Sequence, residues 1–194
     1  MDALSTLAMA MAFGLSPPGT VSRWHPYIDE ASRRFGVPSA WVERVMRAES
    51  GGETRRYGLP IRSRAGAMGL MQLMPSTWRQ MHDALMLGAD PDDPRDNIFA
   101  GTFYLRLMYD RFGYPGLFAA YNAGPARYAA HLGTGAPLPS ETRDYLAKVA
   151  PSTVSSDASD ASDALFAVAT ADHRPDDARG ILFVPLSHAP GSGP

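Results

Sequence analysis

The amino-acid sequence predicts an all-α protein. Apolar residues recur at helical spacing through most of residues 20–150, as in Trp24, Ile28, Ala31 and Phe35. No stretch alternates apolar and polar residues with the period of two that is typical of strands. Glycines and prolines interrupt the helical pattern every few turns, and such residues commonly mark helix ends. A short hairpin near residues 57–63 is the most β structure that we expect.

The predicted helices cover residues 24–35, 39–49, 76–87, 94–112, 117–123, 126–132 and 140–149. Gly36 stops the first of these helices, and the glycine pair Gly51-Gly52 follows the second. Asp93-Pro94 is a typical helix start, because Asp is a good N-cap and Pro is favoured at the first helical position. Gly113 ends the helix that begins there.

Composition divides the 194-residue chain into three parts. We expect one domain of ordinary size, large enough for an enzyme, over residues 20–150. An apolar segment over residues 1–19 precedes it, and a low-complexity tail over residues 151–194 follows it. The first segment has the length of a signal peptide but lacks an early Lys or Arg, so a signal and a short core helix both stay open. The tail is rich in Ser, Asp and Ala, which cannot bury much, and we predict that it is disordered. The tail has one apolar patch, residues 181–184. Three alternatives stay open for it: it packs on the domain, it packs on a partner, or it makes no stable contact.

Charge and composition exclude several functional classes. A net charge of −2 gives no reason to expect nucleic acid as a partner. The absence of cysteine excludes disulfides and thiolate metal sites, and the five histidines have no metal-binding spacing. No run reaches the roughly 18 apolar residues of a membrane span. We therefore expect no metal, no cofactor and no stable membrane span.

Glu49 is the first candidate for chemistry. It follows Trp41 and Val45 at intervals of four residues, so its side chain shares the buried face of the helix. Desolvation disfavours the charged carboxylate, and so does the negative end of the helix dipole, so both raise its pKa. A carboxylic acid with a pKa near neutrality suits general acid catalysis. The structural alternative is an ion pair between Glu49 and Arg47, Arg55 or another basic group.

Four motifs follow one another along the chain. They are Glu49-Ser50; Ser63-x-x-Gly66-Ala67-x-Gly69-Leu70-Met71-Gln72-Leu73-Met74-Pro75; Ala120-Tyr121-Asn122-Ala123-Gly124; and Glu141-Thr142-x-x-Tyr145. Together they resemble the motifs of the family 1 lytic transglycosylases, the soluble lytic murein (SLT) type with a goose-lysozyme-like fold. The resemblance covers about residues 24–150 and implies a lysozyme-like helical domain.

The resemblance also implies a reaction. Members of the family cleave the β-1,4 bond between N-acetylmuramic acid and N-acetylglucosamine in peptidoglycan and leave a 1,6-anhydromuramoyl end. Glu49 would protonate the glycosidic oxygen and then act as base toward the muramoyl C6 hydroxyl. The motifs supply no second carboxylate as partner, since Glu53 lies beyond the Gly51-Gly52 break and is interpreted as a solvated loop residue. One carboxylate suits this intramolecular chemistry better than two-carboxylate hydrolysis.

The substrate-binding residues that the resemblance implies are Ser50, Ser63, Met71, Gln72, Tyr121, Asn122 and Tyr145. Ser63 would contact the muramoyl sugar, and Met71 and Gln72 would line the saccharide groove. The Tyr121-Asn122 pair would bind substrate beside the acid. Tyr145 would orient the carboxyl group of Glu49 through its hydroxyl. We interpret Glu141 as a residue that stabilises its helix start rather than one that touches sugar.

One feature departs from the family pattern. Thirteen residues separate Glu49 from Ser63, several more than the compact family spacing. The lengthened loop carries Arg55, Arg56, Arg62 and Arg64, which would meet anionic stem peptides of peptidoglycan or form a solvated face. We prefer the solvated face. The length leaves the placement of Ser63 open.

The sequence thus predicts an exported lytic transglycosylase of the periplasm or cell envelope. Its partners would be peptidoglycan strands, which it would open for a secretion or conjugation apparatus or for cell-wall remodelling. Two alternatives stay open: a goose-type lysozyme-like or chitinase-like hydrolase that uses water, and a non-catalytic cell-wall-binding assembly module. The complete set of Glu49, Gln72 and Tyr121-Asn122 argues against the binding module, which has no need for an acid.

Overall fold

The computed structural model describes residues 20–150 of the chain. The expectations for residues 1–19 and 151–194, including the apolar patch at residues 181–184, therefore lie outside the described residues. Within them the protein is mostly helical, as predicted. A 3-10 turn at Ser22–Trp24 precedes seven helices: α1 His25–Phe35, α2 Ser39–Glu49, α3 Pro75–Leu85, α4 Pro94–Phe112, α5 Gly116–Ala123, α6 Pro125–Thr134 and α7 Ser140–Val149.

The helix ends follow local chemistry. Gly36 ends α1 in the left-handed conformation at φ 62°, and the Asp93 side chain caps α4 by accepting a 2.9 Å hydrogen bond from the Asp96 N–H. Both predictions are confirmed. The predicted end of α3 was two residues too late, because Met86 adopts a left-handed φ of 52° and stops the helix after Leu85. Non-glycine residues rarely adopt that conformation, so this helix end was not predictable from the residue type.

The β structure is one hairpin. Strand β1, Arg55–Arg56, pairs antiparallel with strand β2, Leu59–Pro60. The hairpin therefore begins two residues earlier than predicted. It lies in the lengthened loop between Glu49 and Ser63 and leaves the side chains of Tyr57 and Leu59 exposed.

Helix α4 lies at the centre of the fold and packs against α1, α3 and α5. Helix α5 also contacts α6 and α7, and α7 in turn packs against α2. The core includes Trp41, whose ring lies 5.4 Å from that of Tyr109 and 5.8 Å from that of Phe118, measured between ring centroids. This packing brings the ends of α2, α5 and α7 to one side of the domain. No helix within residues 20–150 is both long and apolar enough to cross a bilayer.

Candidate active site

A cavity of about 420 Å³ opens where the end of α2 faces the loop before α3 and the ends of α5 and α7. Five of the predicted site residues line it: Glu49, Ser63, Gln72, Tyr121 and Asn122. Glu141 of the fourth motif also contributes to its wall, as do three residues that the sequence did not single out: Ser76, Thr77 and Tyr104. The packing of the helices therefore brings together residues from three of the four sequence motifs and the first residue of the fourth.

Glu49 is the last residue of α2, and its side chain is partly open to the cavity while its carboxyl group is largely enclosed by protein. Desolvation by this burial raises the pKa of Glu49 to about 7, which is the upward shift that the sequence predicts. The nearby Tyr145 hydroxyl opposes the shift, and the negative charge of Glu141 adds to it. Neither neighbour is basic. The structure thus gives no support to the ion-pair alternative.

The Tyr145 hydroxyl is the polar group that faces Glu49 from α7. It is buried and makes no hydrogen bond of standard geometry within residues 20–150, yet it lies close enough to hold the pKa of Glu49 down. Burial and the nearby carboxylate raise the pKa of Tyr145 well above its usual value, so the phenol keeps its proton to donate. Tyr145 does not line the cavity. It contacts the acid rather than the space where a substrate would lie.

Glu141 is exposed and lines the same cavity as Glu49. It lies in the first turn of α7, where an acidic residue is favourable, so the predicted helix-start role fits its position. The sequence interpretation that Glu141 stabilises its helix start rather than touching sugar stays a prediction, although the packing of α7 against α2 places the residue on the cavity wall. The cavity therefore holds two carboxyl groups. Within residues 20–150, no cluster of three or more His, Asp or Glu side chains could hold a metal ion.

Gln72 reaches the cavity from a tight loop between Met68 and Leu73, whose backbones exchange two hydrogen bonds of 2.9 and 3.1 Å. Its φ is 47°, a left-handed value that is unusual for a side chain of this size. Its Nε2 donates a 2.8 Å hydrogen bond to the Gly69 carbonyl. The Oε1 end of the amide is therefore left as an acceptor.

Asn97 of α4 holds this loop in place through three hydrogen bonds of its side-chain amide, two of them to the loop backbone. Its Oδ1 accepts a 2.8 Å hydrogen bond from the Met71 N–H, and its Nδ2 donates to the carbonyls of Met68 and Pro91 at 3.2 and 3.0 Å. A Cβ at Gly69 would come within 2.3 Å of Asn97 Nδ2, so only glycine fits there. The position of Gln72 thus depends on a buried amide 25 residues further along the chain.

Tyr121 connects α5 to the same loop. Its hydroxyl donates a 2.8 Å hydrogen bond to the Met71 carbonyl, so the ring rather than the hydroxyl faces the cavity. Tyr104 of α4 packs against this ring at 5.2 Å between centroids. Burial raises the pKa of Tyr104 to about 12, and that of Tyr121 rises well above its usual value for the same reason. Both phenols stay neutral over the physiological range.

Asn122 lies at the end of α5, and its Oδ1 accepts a 2.8 Å hydrogen bond from the Thr142 hydroxyl of α7. Thr142 is buried. Because this bond occupies the acceptor end of the amide, the Nδ2 end of Asn122 is left as a donor. The cavity wall therefore offers an amide acceptor at Gln72 and an amide donor at Asn122.

Three of the predicted contacts are placed differently. Ser50 is buried, and its hydroxyl bonds to the Met46 carbonyl at 3.3 Å and to the Gly52 N–H at 3.1 Å, so it holds the chain turn after α2. The Met71 side chain is fully buried against Gly101. Neither residue lines the cavity, nor does Tyr145. Ser63 does line it, although its hydroxyl also accepts a 3.0 Å hydrogen bond from the Ala67 N–H.

The arginines of the lengthened loop are mostly engaged within the loop or beside it. Arg62 Nη2 donates a 2.6 Å hydrogen bond to Asp92 Oδ2, and Arg55 donates to the Gly58 carbonyl at 2.8 Å. Arg56 lies 4.0 Å from the exposed carboxylate of Glu53. This arrangement agrees with the solvated face that we preferred from the sequence.

Besides Ser76 and Thr77 of the cavity wall, sequence reasoning missed three residues that support the site: Asn97, Tyr104 and Thr142. Asn97 and Tyr104 lie on the buried side of α4 with Gly101 and Met108, and a polar residue at helical spacing with apolar ones is a signal for Asn97. Thr142 belongs to the fourth motif but had no assigned role. Tyr104 has no distinguishing signal in the sequence.

Comparison with known proteins places these residues in a family. The model of the transglycosylase SLT domain matches residues 26–135, more than half of the chain. The soluble lytic murein transglycosylase of Salmonella typhimurium is 39% identical over 139 residues, which cover 61% of this chain and 20% of that protein. A transglycosylase of Enterobacteria phage PRD1 is 35% identical over 129 residues, covering 66% of this chain and 42% of the phage protein.

Solved structures agree with the sequence relatives. The 70 kDa soluble lytic transglycosylase of Escherichia coli superposes with a TM-score of 0.57 at 30% identity, over 65% of this chain and 22% of that one. The lytic transglycosylase Slt of Pseudomonas aeruginosa gives 0.56 at 29% identity, over 64% and 22%. The chain thus spans about a fifth of the length of the soluble lytic murein transglycosylases that it matches. The lysozyme-like helical fold and the suspected resemblance are both confirmed, and the chain belongs to the transglycosylase SLT domain family.

Proposed function

We propose that this protein is a peptidoglycan lytic transglycosylase in which Glu49 is the catalytic acid and base. The observation that carries the proposal is the carboxyl group of Glu49, which opens on a polar cavity and has a pKa of about 7 because of its burial. At that pKa both protonation states are accessible near neutral pH, as a group that first donates and then accepts a proton requires. Several relatives bear the name soluble lytic murein transglycosylase. The Pseudomonas aeruginosa structure is of an inactive variant in which a Glu is replaced by Gln.

In the proposed reaction, Glu49 donates its proton to the oxygen between N-acetylmuramic acid and N-acetylglucosamine. The bond from the muramoyl C1 to that oxygen breaks, and the N-acetylglucosamine side leaves as an alcohol. The C6 hydroxyl of the same muramoyl residue then bonds to C1 and gives its proton to the Glu49 carboxylate. No water is consumed, and Glu49 ends the cycle protonated. The ring closure is intramolecular, which lowers its entropic cost.

The other residues of the cavity would bind and orient the sugar. The acceptor at Gln72 and the donor at Asn122 match the N–H and C=O of acetamido groups, which both sugars of the substrate carry. Ser63 and the ring of Tyr121 add a hydroxyl and an apolar surface to the wall. Tyr145 would orient the carboxyl group of Glu49 from behind.

A second candidate function is hydrolysis, and Glu141 is the observation that favours it. Glycosidases that use water commonly have a second carboxylate, which activates the water or attacks the sugar. Glu49 and Glu141 both line the cavity. Glu141 can take this second role only if the two side chains lie on either side of the same sugar. Hydrolytic products carry one more water than anhydro products. Mass analysis of the products therefore separates the two reactions.

The decisive experiment is digestion of purified peptidoglycan by the full chain and by Glu49→Gln, with mass analysis of the muropeptides. We expect anhydro products from the wild type and a loss of at least about 100-fold in rate for Glu49→Gln, the usual value of a general acid. Glu53→Gln is the matched control, because Glu53 is an exposed loop residue. Equal rates for wild type and Glu49→Gln would overturn the mechanism. Hydrolytic products that disappear in Glu141→Gln would establish the alternative.

The proposed substrate also implies a location. Because peptidoglycan lies outside the cytoplasmic membrane, we propose export to the periplasm or cell envelope and work beside a secretion or conjugation apparatus. Fusion of the full chain to a reporter that is active only outside the cytoplasm tests the export. An inactive fusion that accumulates inside the cell would contradict it. Co-purification of assembly proteins from cross-linked cell envelopes tests the second part, and the recovery of glycan strands alone would contradict it.

A further inference from the structure

The chain turn that follows Glu49 is held by residues from the very start of the described chain. Arg23 Nη2 and Trp24 Nε1 both donate hydrogen bonds to the Gly52 carbonyl, at 2.7 and 2.8 Å. The Thr20 hydroxyl donates to the neighbouring carbonyl of Gly51. We call residues 20–24 the N-terminal clamp. Two carbonyls of one turn thus receive three side-chain donors from a segment about 30 positions earlier.

The clamp and the turn fit closely. A Cβ at Gly52 would lie 2.8 Å from the Thr20 carbonyl carbon and from the Val21 nitrogen, both backbone atoms that cannot rotate away. Gly52 also has a φ of 80°, which favours glycine. Gly51 has a similar φ of 66°, but a Cβ there would meet nothing within 4 Å. The two glycines therefore share a backbone conformation and differ in their contact with the clamp.

Hydrogen bonds also connect the Gly51-Gly52 turn to the end of α2. The Gly52 N–H donates a 3.1 Å hydrogen bond to the Ser50 hydroxyl, and the N–H groups of Ser50 and Gly51 both donate to the Met46 carbonyl, at 3.0 and 3.1 Å. Glu49 directly precedes Ser50. Any displacement of Gly52 is therefore passed through Ser50 to the last turn of α2.

We propose that Arg23 and Trp24 are positioning residues for Glu49, which they hold in place through the Gly52 carbonyl. Both residues lie before residue 26, where the match to the family model begins. The inference rests on the proposed role of Glu49 as the acid. It adds a part of the chain outside the four motifs to the machinery that sets the geometry of the carboxyl group.

The hydrogen bonds from Arg23 and Trp24 differ in strength, and the two side chains differ in how they are packed. The guanidinium of Arg23 is charged, and a charge-assisted hydrogen bond is stronger than a neutral one. It lies over the ring of Trp24, with Cζ 4.9 Å from the ring centroid, while Trp24 stacks on Tyr27 at 6.4 Å. Trp24 is partly buried, so its bond is the better shielded from water. Removal of the indole N–H is thus the cleaner test.

The first experiment compares Gly52→Ala with Gly51→Ala. Both add a side chain at positive φ, but only Gly52→Ala pushes against the clamp. We expect both variants to lose melting temperature. Only Gly52→Ala should lower kcat, on the order of tenfold, because small displacements of a catalytic group are costly, with KM nearly unchanged. Equal kcat values for the two variants at equal loss of melting temperature would overturn the proposal.

The second experiment compares Trp24→Phe with Tyr27→Phe. Trp24→Phe removes the donor to Gly52 and keeps an aromatic ring, whereas Tyr27→Phe removes a hydroxyl that has no part in the clamp. We expect a lower kcat only for Trp24→Phe. Arg23→Lys, which keeps a charged donor, should retain more activity than Arg23→Met. Full activity of Trp24→Phe would overturn the proposal.

The third readout is independent of turnover. The pKa of Glu49 is measured by carbon NMR of labelled Glu side chains in each full-length variant. The groups that face Glu49 are Tyr145 and Glu141 of α7 and Tyr121 of α5, and none is altered. Loosening the clamp admits water, so we expect the pKa to fall from about 7 toward 4.5. An unchanged pKa of Glu49 in Trp24→Phe would overturn the role of the clamp, even if Glu49→Gln is inactive. A shifted pKa would support that role, even if peptidoglycan proves to be the wrong substrate.

Discussion

The Thr142 hydroxyl donates a 2.8 Å hydrogen bond to Oδ1 of Asn122 and so fixes which end of the amide faces the cavity. Without this bond an amide can present either end, since its two ends are alike in shape. The buried threonine of α7 thus decides that α5 offers a donor to the site.

This relationship predicts the behaviour of two threonine variants. Thr142→Val keeps the shape of the side chain and loses the hydroxyl, so Asn122 can turn and KM should rise several-fold with a smaller effect on kcat. Thr142→Ser keeps the donor and should remain close to wild type. Steady-state kinetics on peptidoglycan fragments measure both. A Thr142→Val enzyme with unchanged KM would show that the amide is not held by Thr142.

Asn122→Asp tests the same site from the other side. An aspartate still accepts the bond from Thr142 but has no N–H to donate. We expect substrate binding to weaken by about 1 to 3 kcal/mol, the cost of leaving a hydrogen-bonding group of the substrate unsatisfied. Calorimetry of a saccharide fragment binding to Glu49→Gln and to the double variant Glu49→Gln/Asn122→Asp gives this difference in binding free energy without turnover. Equal affinity of the two proteins would remove Asn122 from the binding site.

Activity should depend on pH through Glu49. In the proposed mechanism the reaction begins with protonated Glu49, so kcat/KM should fall as the pH rises through about 7, the pKa of that carboxyl group. Tyr121 and Tyr145 cannot produce this limb, because their pKa values are raised well above the usual 10 of a phenol. A rate profile between pH 5 and pH 9 checks the limb. A flat profile through pH 7 would contradict the assignment.

Two substitutions on α7 should move this limb in opposite directions. Tyr145→Phe removes a hydroxyl group that lowers the pKa of Glu49, so the limb should shift to higher pH. Glu141→Gln removes a negative charge that raises it, so the limb should shift to lower pH. The size of the second shift should shrink at high salt, because Glu141 is exposed and its charge is screened. Shifts of the same sign would mean that the limb belongs to another group.

The same group should affect stability. A carboxyl group whose pKa is raised on folding binds a proton that the unfolded chain has released, so the free energy of unfolding falls as the pH rises from about 4.5 to about 7. Glu49→Gln removes that penalty. We expect it to stabilise the protein by about 1 to 3 kcal/mol at pH 8 and by much less at pH 4. Denaturant unfolding at the two pH values measures the difference, and an equal effect at both would contradict it.

Asn97 should be essential for the loop that carries Gln72. Asn97→Ala removes the partner of the buried Met71 N–H and of the Pro91 carbonyl, and it removes one of the two hydrogen bonds to the Met68 carbonyl. This should cost about 3 kcal/mol or more. Gly69→Ala should also destabilise, because the new Cβ meets the Asn97 amide at 2.3 Å. The double variant should lose less than the sum of the two, since Asn97→Ala removes the clash. Strict additivity in denaturant unfolding would mean that the two residues do not interact.

The sequence predicted the helices well because their signals are local. Apolar spacing, the Asp93 cap and the stop at Gly36 are all within one turn of the element that they define. Met86 was missed because it adopts a glycine-like conformation without being glycine. The position of Glu49 was predictable from its own helix, together with the direction of its pKa shift.

The supporting residues of the site were not predictable, since their roles depend on contacts between distant segments. Thr142 acts on a residue 20 positions away and Asn97 on one 26 positions away. Their side chains look ordinary until α4, α5 and α7 are packed. Ser50 misled us for the opposite reason, because it stands next to Glu49 in the sequence while its hydroxyl points into the turn.

The N-terminal clamp has a practical consequence for protein engineering. An expression fragment cut at residue 26, where the family match starts, would lack both donors to Gly52 and leave that carbonyl to water. Such a fragment could fold and still be a poor enzyme. Chimeras that transplant this domain onto other wall-binding modules should therefore place the junction before Thr20, and a library of junctions across residues 18–28 would locate the true edge of the functional unit.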